Sequence, residues 1–183
     1  TIFWDYYLFD DALRLIAAAR AKLKTPALFA YEAGAIYENQ RDYARAIDEY
    51  ARGALSDPEG SPARSRLIEL ARRPAHRAAI EAMTARLAAG SDPEPAAMSL
   101  RVTLLEAQGR RADLERYLLE LAGRASSPDT LLRVRESAGR QGFTGVQRNA
   151  LAREAELAAD PVDRMRARLA LARFDEANQK PAA

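Results

Sequence analysis

Cysteine is absent from this chain, and histidine occurs once, as His76. The first absence excludes disulfides and thiolate metal sites, and it suits the cytoplasm and the periplasm equally. The second excludes a metal cluster built on several histidines. A Ser-His-Asp site would need His76 in a supported pocket. It follows Pro74-Ala75 at a helix start, where a solvated side chain is expected. No uninterrupted apolar run of about 18 residues occurs, so no membrane span is expected. No basic start leading into an apolar segment is visible, so no secretory signal is read. β-Branched residues are few, and no segment sustains the alternation of a strand. No EF-hand loop appears. The run "GRQGFTG" from Gly139 lacks both a preceding strand and a GK[ST] ending, so it reads as a turn and not as a phosphate cradle.

The chain has 183 residues, of which 48% are apolar and 30% charged, a globular composition. Net charge is +2 and the isoelectric point about 9.0. Residues 1–60 hold 7 Lys+Arg against 10 Asp+Glu, and residues 61–183 hold 21 against 16. Nearly all the cations are arginine and alanine is abundant, which fits a GC-rich bacterial genome better than a nucleic-acid patch. The adjacent carboxylates Asp10-Asp11, Asp48-Glu49 and Asp175-Glu176 point about 100° apart on a helix, so they read as solvated faces and not as acid/base pairs.

One pattern recurs: "SDPEG" from Ser56, "SDPEP" from Ser91, "SSPDT" from Ser126 and "ADPVD" from Ala159. A proline in the first turn of a helix costs no hydrogen bond. The preceding Asp57, Asp92, Ser127 or Asp160 is a good N-cap, and a following acid suits the helix dipole. Thr25-Pro26 reads the same way. Prolines 26, 58, 93, 128 and 161 are therefore expected helix starts, about 34 residues apart, a period that fits helix pairs. Second breaks fall midway, at "ENQRDY", "RRPAH", "QGRRAD" and "GRQGFT". The pattern predicts helices near 8–23, 26–39, 42–55, 62–73, 75–89, 94–108, 111–124, 128–140, 144–158 and 161–177, then a tail over 179–183. Leu104, Leu105, Leu114, Leu118 and Leu121 follow at helical spacing.

An offset of 34 residues aligns Ile2-Phe3 with Ile36-Tyr37, Phe9 with Tyr43, Ala12-Leu13 with Ala46-Ile47 and Ile16-Ala17 with Tyr50-Ala51. Small and bulky positions agree, as close helix crossings require. From Pro26 to Pro58 the chain resembles the tetratricopeptide repeat (TPR) family. Gly34 stands at the small position of the first helix and Tyr37 at the aromatic one. Ala46, Tyr50 and Gly53 follow on the second helix, and Pro58 closes the unit. Ala30 departs from the family's usual Trp or Leu. Residues 1–25 look like the latter part of a preceding copy. Beyond Pro58 the likeness lies in period and helix pattern, best at "LLEAQGRRADLERYLLELA" from Leu104.

The expected fold is all-α, a right-handed superhelix of about five antiparallel helix pairs. It is read as one TPR-like solenoid domain over 1–178, a piece of a longer chain. The expected function is a scaffold that holds a peptide or protein segment in a concave groove. No catalysis, no cofactor and no nucleic-acid partner are expected. The resemblance implies that the first helix of each pair lines the groove. On the copy from Pro26 that stripe is Leu28, Tyr31, Ala35, Glu38 and Asn39. The repeat carries it back to Trp4 and Asp5, and forward to Glu69, Arg72 and Arg73, then Ser99, Thr103 and Glu106. Tyr31 and Ala35 occupy the places of the Lys and Asn with which chaperone-binding members clamp a terminal carboxylate. A partner is therefore expected to be held by aromatic and mixed polar contacts. Of the cluster "FWDYYLF", Phe3, Tyr7 and Phe9 read as core and Trp4 or Tyr6 as surface, an edge that can drive self-association. The alternative reading is an accessory, positioning domain of a larger enzyme or assembly.

Overall fold

The computed structural model describes residues 8–57 and 60–179. These residues form ten α-helices and no strand. The helices are α1 (Phe9–Leu23), α2 (Ala30–Asn39), α3 (Tyr43–Ser56), α4 (Pro62–Ala71), α5 (Arg77–Leu87), α6 (Pro95–Ala107), α7 (Arg111–Arg124), α8 (Pro128–Gln141), α9 (Thr144–Leu157) and α10 (Pro161–Gln179). A single 3₁₀ turn, Pro74–His76, precedes α5. The last helix runs into the stretch expected to be a tail.

The chain divides into two compact units. One holds the described residues up to Ala88 together with Ala96–Gln108; the other holds Ala89–Pro95 and the described residues from Gly109 onward. In the first unit α1 packs on α2, α2 on α3 and α3 on α4, while α2 also touches α4 and α3 touches α5. In the second, α7 packs on α8, α8 on α9 and α9 on α10, and α7 also touches α9.

The small-against-bulky pattern of the sequence has a direct physical cause in the first unit. A Cβ on Gly34 would stand 2.5 Å from Cε1 of Tyr50, so only glycine lets the α3 ring lie against α2. A Cβ on Gly53 would meet that of Ala63 at 2.7 Å, so α3 and α4 touch almost backbone to backbone. Around these crossings Ile47, Tyr50, Leu67, Leu70, Ile80, Met83, Leu100 and Leu104 form one buried cluster. Tyr37 packs on its edge, with the Arg45 guanidinium 4.8 Å above its ring. In the second unit Leu114, Leu118, Leu121, Leu131, Val134, Ala138, Val146 and Ala150 are buried at helical spacing. Arg111 lies over the buried Phe143 ring.

The recurring motif is used differently at each copy. At Ser127 it caps as expected: the hydroxyl accepts the Thr130 N–H, and Pro128 opens α8. At Asp160 a carboxylate oxygen accepts the Val162 N–H at 2.6 Å, and Pro161 opens α10. Asp57 accepts the Gly60 N–H; Pro58 lies outside the described residues, and the next helix opens at Pro62. Pro93 is not a helix start, because α6 begins at Pro95. Asp92 serves the following copy. Its carboxylate accepts the N–H groups of Ser126 and Ser127 and the hydroxyls of Ser91 and Ser126. Pro26 is no helix start either. Residues 25–29 form a turn, the Thr25 hydroxyl donates to the Leu23 carbonyl, and Phe29 takes a left-handed conformation before α2 begins at Ala30.

The bonds to Asp92, led by that from Ser126, hold its carboxyl down at about 2. A carboxyl lowered on folding adds stability that is present above its unfolded pKa of about 3.9 and is lost as pH falls toward 2. Asp92 is exposed, so water screens the contribution to about 1 kcal/mol or less. Urea denaturation between pH 5 and 2 is expected to show a smaller acid-induced loss in Asp92→Asn than in the wild type. Superimposable pH curves would remove Asp92 as a source of the loss.

Two further sequence expectations are corrected. His76 is buried and not solvated, because the 3₁₀ turn folds it onto Tyr43 with ring centroids 4.3 Å apart. Glu49 is buried and not a solvated face, because α1 delivers Arg20 onto it at 2.7 Å. Asp175 stays on the surface, where it pairs with Arg148 of α9 at 2.9 Å. The aromatic edge Phe3, Trp4, Tyr6 and Tyr7 lies outside the described residues.

Candidate functional site

Helices α2, α3 and α4 enclose a groove of about 780 Å³ in the first unit. Four residues of the expected stripe, Tyr31, Ala35, Glu38 and Asn39, line it from α2. Helix α3 supplies Tyr43 and Tyr50, and α4 supplies Pro62, Ser65, Arg66 and Glu69.

The groove is organised by one polar network. The Tyr50 ring is fully buried beneath Gly34, and its hydroxyl emerges to donate to Glu38 at 3.0 Å. Arg66 crosses from α4 and donates to both oxygens of the same carboxylate, from Nε at 2.9 Å and from a terminal nitrogen. Its other terminal nitrogen donates to Glu69. A planar guanidinium bound at both edges is fixed in direction, so the groove wall is set before any ligand arrives. The Arg66 hydrogen bond holds the Glu38 carboxyl below its ordinary value against the opposing effect of burial, with Tyr50 and Arg73 adding to the lowering. Burial, with Glu38 beside it, pushes the Tyr50 phenol up, so it remains a donor. Tyr31 leans over Tyr50 with centroids 5.9 Å apart and keeps 41% of its surface exposed. The result is an open aromatic face beside a rigid, charge-paired wall.

Glu69, reached by carrying the stripe forward, also lines the groove; the other stripe residues lie elsewhere. Leu28 sits in the turn before α2, and its carbonyl accepts from Arg20. Arg72 and Arg73 are exposed just past α4 and do not line the groove, although the charge of Arg73 reaches Glu38. Thr103 on α6 accepts from Arg64 at 2.8 Å. Ser99 and Glu106 are exposed on α6. Trp4 and Asp5 fall outside the described residues. Pro62 and Ser65 stand 34 residues after Leu28 and Tyr31, in the register that gave Glu69, but the forward stripe named only its later positions, and Arg66 lies one position off it. Arg66 lies three residues before Glu69, on the same face of α4.

Among the described residues, no group of three His, Asp or Glu side chains could hold a metal ion. No described helix is long and apolar enough to cross a membrane. No protein-family model matches the chain, and neither a curated protein nor a solved structure matches it.

Proposed function

We propose that this chain is a TPR-like helix-pair scaffold, a right-handed superhelix, that holds a peptide or protein segment in the groove of α2, α3 and α4 and performs no chemistry of its own. The observation that carries the reading is the meeting of Tyr31, Ala35, Glu38 and Asn39 along one groove whose polar wall is already locked. Contacts between helices one and two places apart support the repeat reading, since stacked pairs give that pattern. An exposed tyrosine over a rigid floor offers contact area at low entropic cost, and Asn39 and Ser65 offer bonds to a peptide backbone.

Selection from a displayed random-peptide library supplies the probe. The best peptide is expected to lose at least tenfold in affinity, about 1.4 kcal/mol, with Tyr31→Ala and with Ala35→Trp, which fills the groove. Circular dichroism should show both variants folded. A library that yields no binder, or peptides that bind both variants fully, would move function away from this groove.

A further inference from the structure

Two turns meet at one end of the first unit. Residues 40–42 join α2 to α3, and residues 72–76 join α4 to α5. The His76 ring stacks on Tyr43, which opens α3, with centroids 4.3 Å apart, so the second turn is fastened against the start of α3. The charge of Arg73 reaches Glu38 in the last turn of α2, and the Arg41 N–H donates to the Glu38 carbonyl at 3.0 Å. Arg41, Arg72 and Arg73 on these turns, and Arg77 at the start of α5, are all exposed.

Elsewhere the chain pairs exposed arginines with an acid three residues away, as in Arg14–Asp11, Arg116–Asp113 and Arg166–Asp163. Here that pairing fails. Glu38 and Glu69 stand three residues before Arg41 and Arg72, but Arg66 takes both carboxylates. Leu70 and His76 flank Arg73 at the same interval, and Pro74 and Ile80 flank Arg77. Asp42 is held by Arg45, and Glu81, one turn on from Arg77, is engaged elsewhere. Among the described residues, no carboxylate forms an ion pair with Arg41, Arg72, Arg73 or Arg77. The excess does not depend on which charges are paired. On the two turns and within one helical turn of them, Arg41, Arg45, Arg72, Arg73 and Arg77 stand against Glu38, Asp42 and Glu69 alone.

A guanidinium holds a carboxylate through two parallel N–H donors. Several of them on turns that are already fixed can hold neighbouring carboxylates of one segment. A nucleic acid suits the surface less well. Residues 1–60, in the same unit, hold 10 acids against 7 bases, so a backbone charged at every nucleotide would run from the arginines onto an acidic face. We infer that the two turns, over residues 40–42 and 72–77, form an interaction site for a short acidic segment of a protein partner, held through its carboxylates. The site lies beside the groove, whose lining includes Asn39, Tyr43 and Glu69, and does not need the groove to be filled.

Three fluorescein-labelled peptides of equal length serve as probes, each with a central run of glutamate, glutamine or lysine between glycines and serines. Fluorescence anisotropy on the full chain at low salt is expected to rank glutamate about tenfold or more tighter than glutamine, the sum of several exposed pairs, with lysine weakest. Salt at about 0.15 M should reduce that preference. Arg72→Gln with Arg73→Gln, and Arg41→Gln with Arg77→Gln, should each weaken the glutamate peptide by roughly threefold or more, as the loss of two exposed pairs implies. Arg133→Gln with Arg168→Gln removes the same charge from exposed positions of the second unit and should change nothing. Ala35→Trp, which fills the groove, should also change nothing, which separates this site from the function proposed for the groove. A labelled oligouridylate of matching charge should bind more weakly than the glutamate peptide. Equal binding of glutamate and glutamine, an equal loss in the second-unit variant, full binding by both first-unit variants, or tighter binding of the oligouridylate overturns the assignment.

Discussion

Tyr50→Ala is expected to cost about 3–5 kcal/mol, the range for truncating a buried aromatic. The ring is 1% exposed and belongs to the cluster joining α3, α4, α5 and α6. It also lies against Gly34, where the two helices leave no room for a single added carbon. Truncation would open a cavity that the flanking Ala46, Ile47 and Leu67 are too short to fill. The converse change, Gly34→Leu, would force the ring out and is expected to cost about 1–3 kcal/mol. The two should not add. In the double variant the leucine would occupy part of the space left by the ring, so the combined loss should fall short of the sum. Urea denaturation of the four proteins measures this. Unchanged midpoints in both single variants would show that the α2–α3 crossing does not hold the unit together.

That crossing was legible because its signal is local. Small and bulky residues recur at a fixed interval, and each helix end carries its own proline, glycine or polar break. The expected boundaries of α1, α7, α8 and α9 lie within a residue or two of the observed ones for this reason. Local signals also misled. Thr25-Pro26 has the composition of a helix start, but a left-handed Phe29 lets α2 begin four residues later. Asp92 has the composition of a cap for α6, but the N–H groups it takes lie 34 and 35 residues ahead. Half of the groove was visible as a stripe on α2. On α4 the stripe reached only Glu69, and Arg66 was hidden, because its position opposite Glu38 depends on how α4 lies against α2, 28 residues on. Helical spacing identifies the face on which a side chain sits and carries no information about which distant helix meets that face.

The pairing of Arg20 with Glu49 is the case where this limit has the largest energetic consequence. Both side chains are largely withdrawn from water, at 15% and 11% exposure. Arg20 donates to the two carboxylate oxygens at 3.1 and 2.7 Å and, from Nε, to the Leu28 carbonyl at 2.8 Å. One residue therefore fastens α1 to α3 and fixes the turn between α1 and α2. Arg52 donates to the same carboxylate at 2.6 Å, so Glu49 bridges two guanidiniums with its one negative charge. Glu49→Ala would leave both cations close together without an acid, and it is expected to cost about 3 kcal/mol, the low end for breaking a buried pair. Arg20→Ala should cost less, because Arg52 still answers Glu49. Replacing Arg20 and Glu49 together by methionine should recover most of the loss, since no buried charge then lacks its partner. Hydrogen exchange supplies a second reading. Apart from this pair, α1 is held mainly by α2, so Glu49→Ala should strip amide protection from α1 before the buried core of α3. If Glu49→Ala keeps both its denaturation midpoint and the protection of α1, the pair contributes nothing that the α1–α2 contact does not already supply.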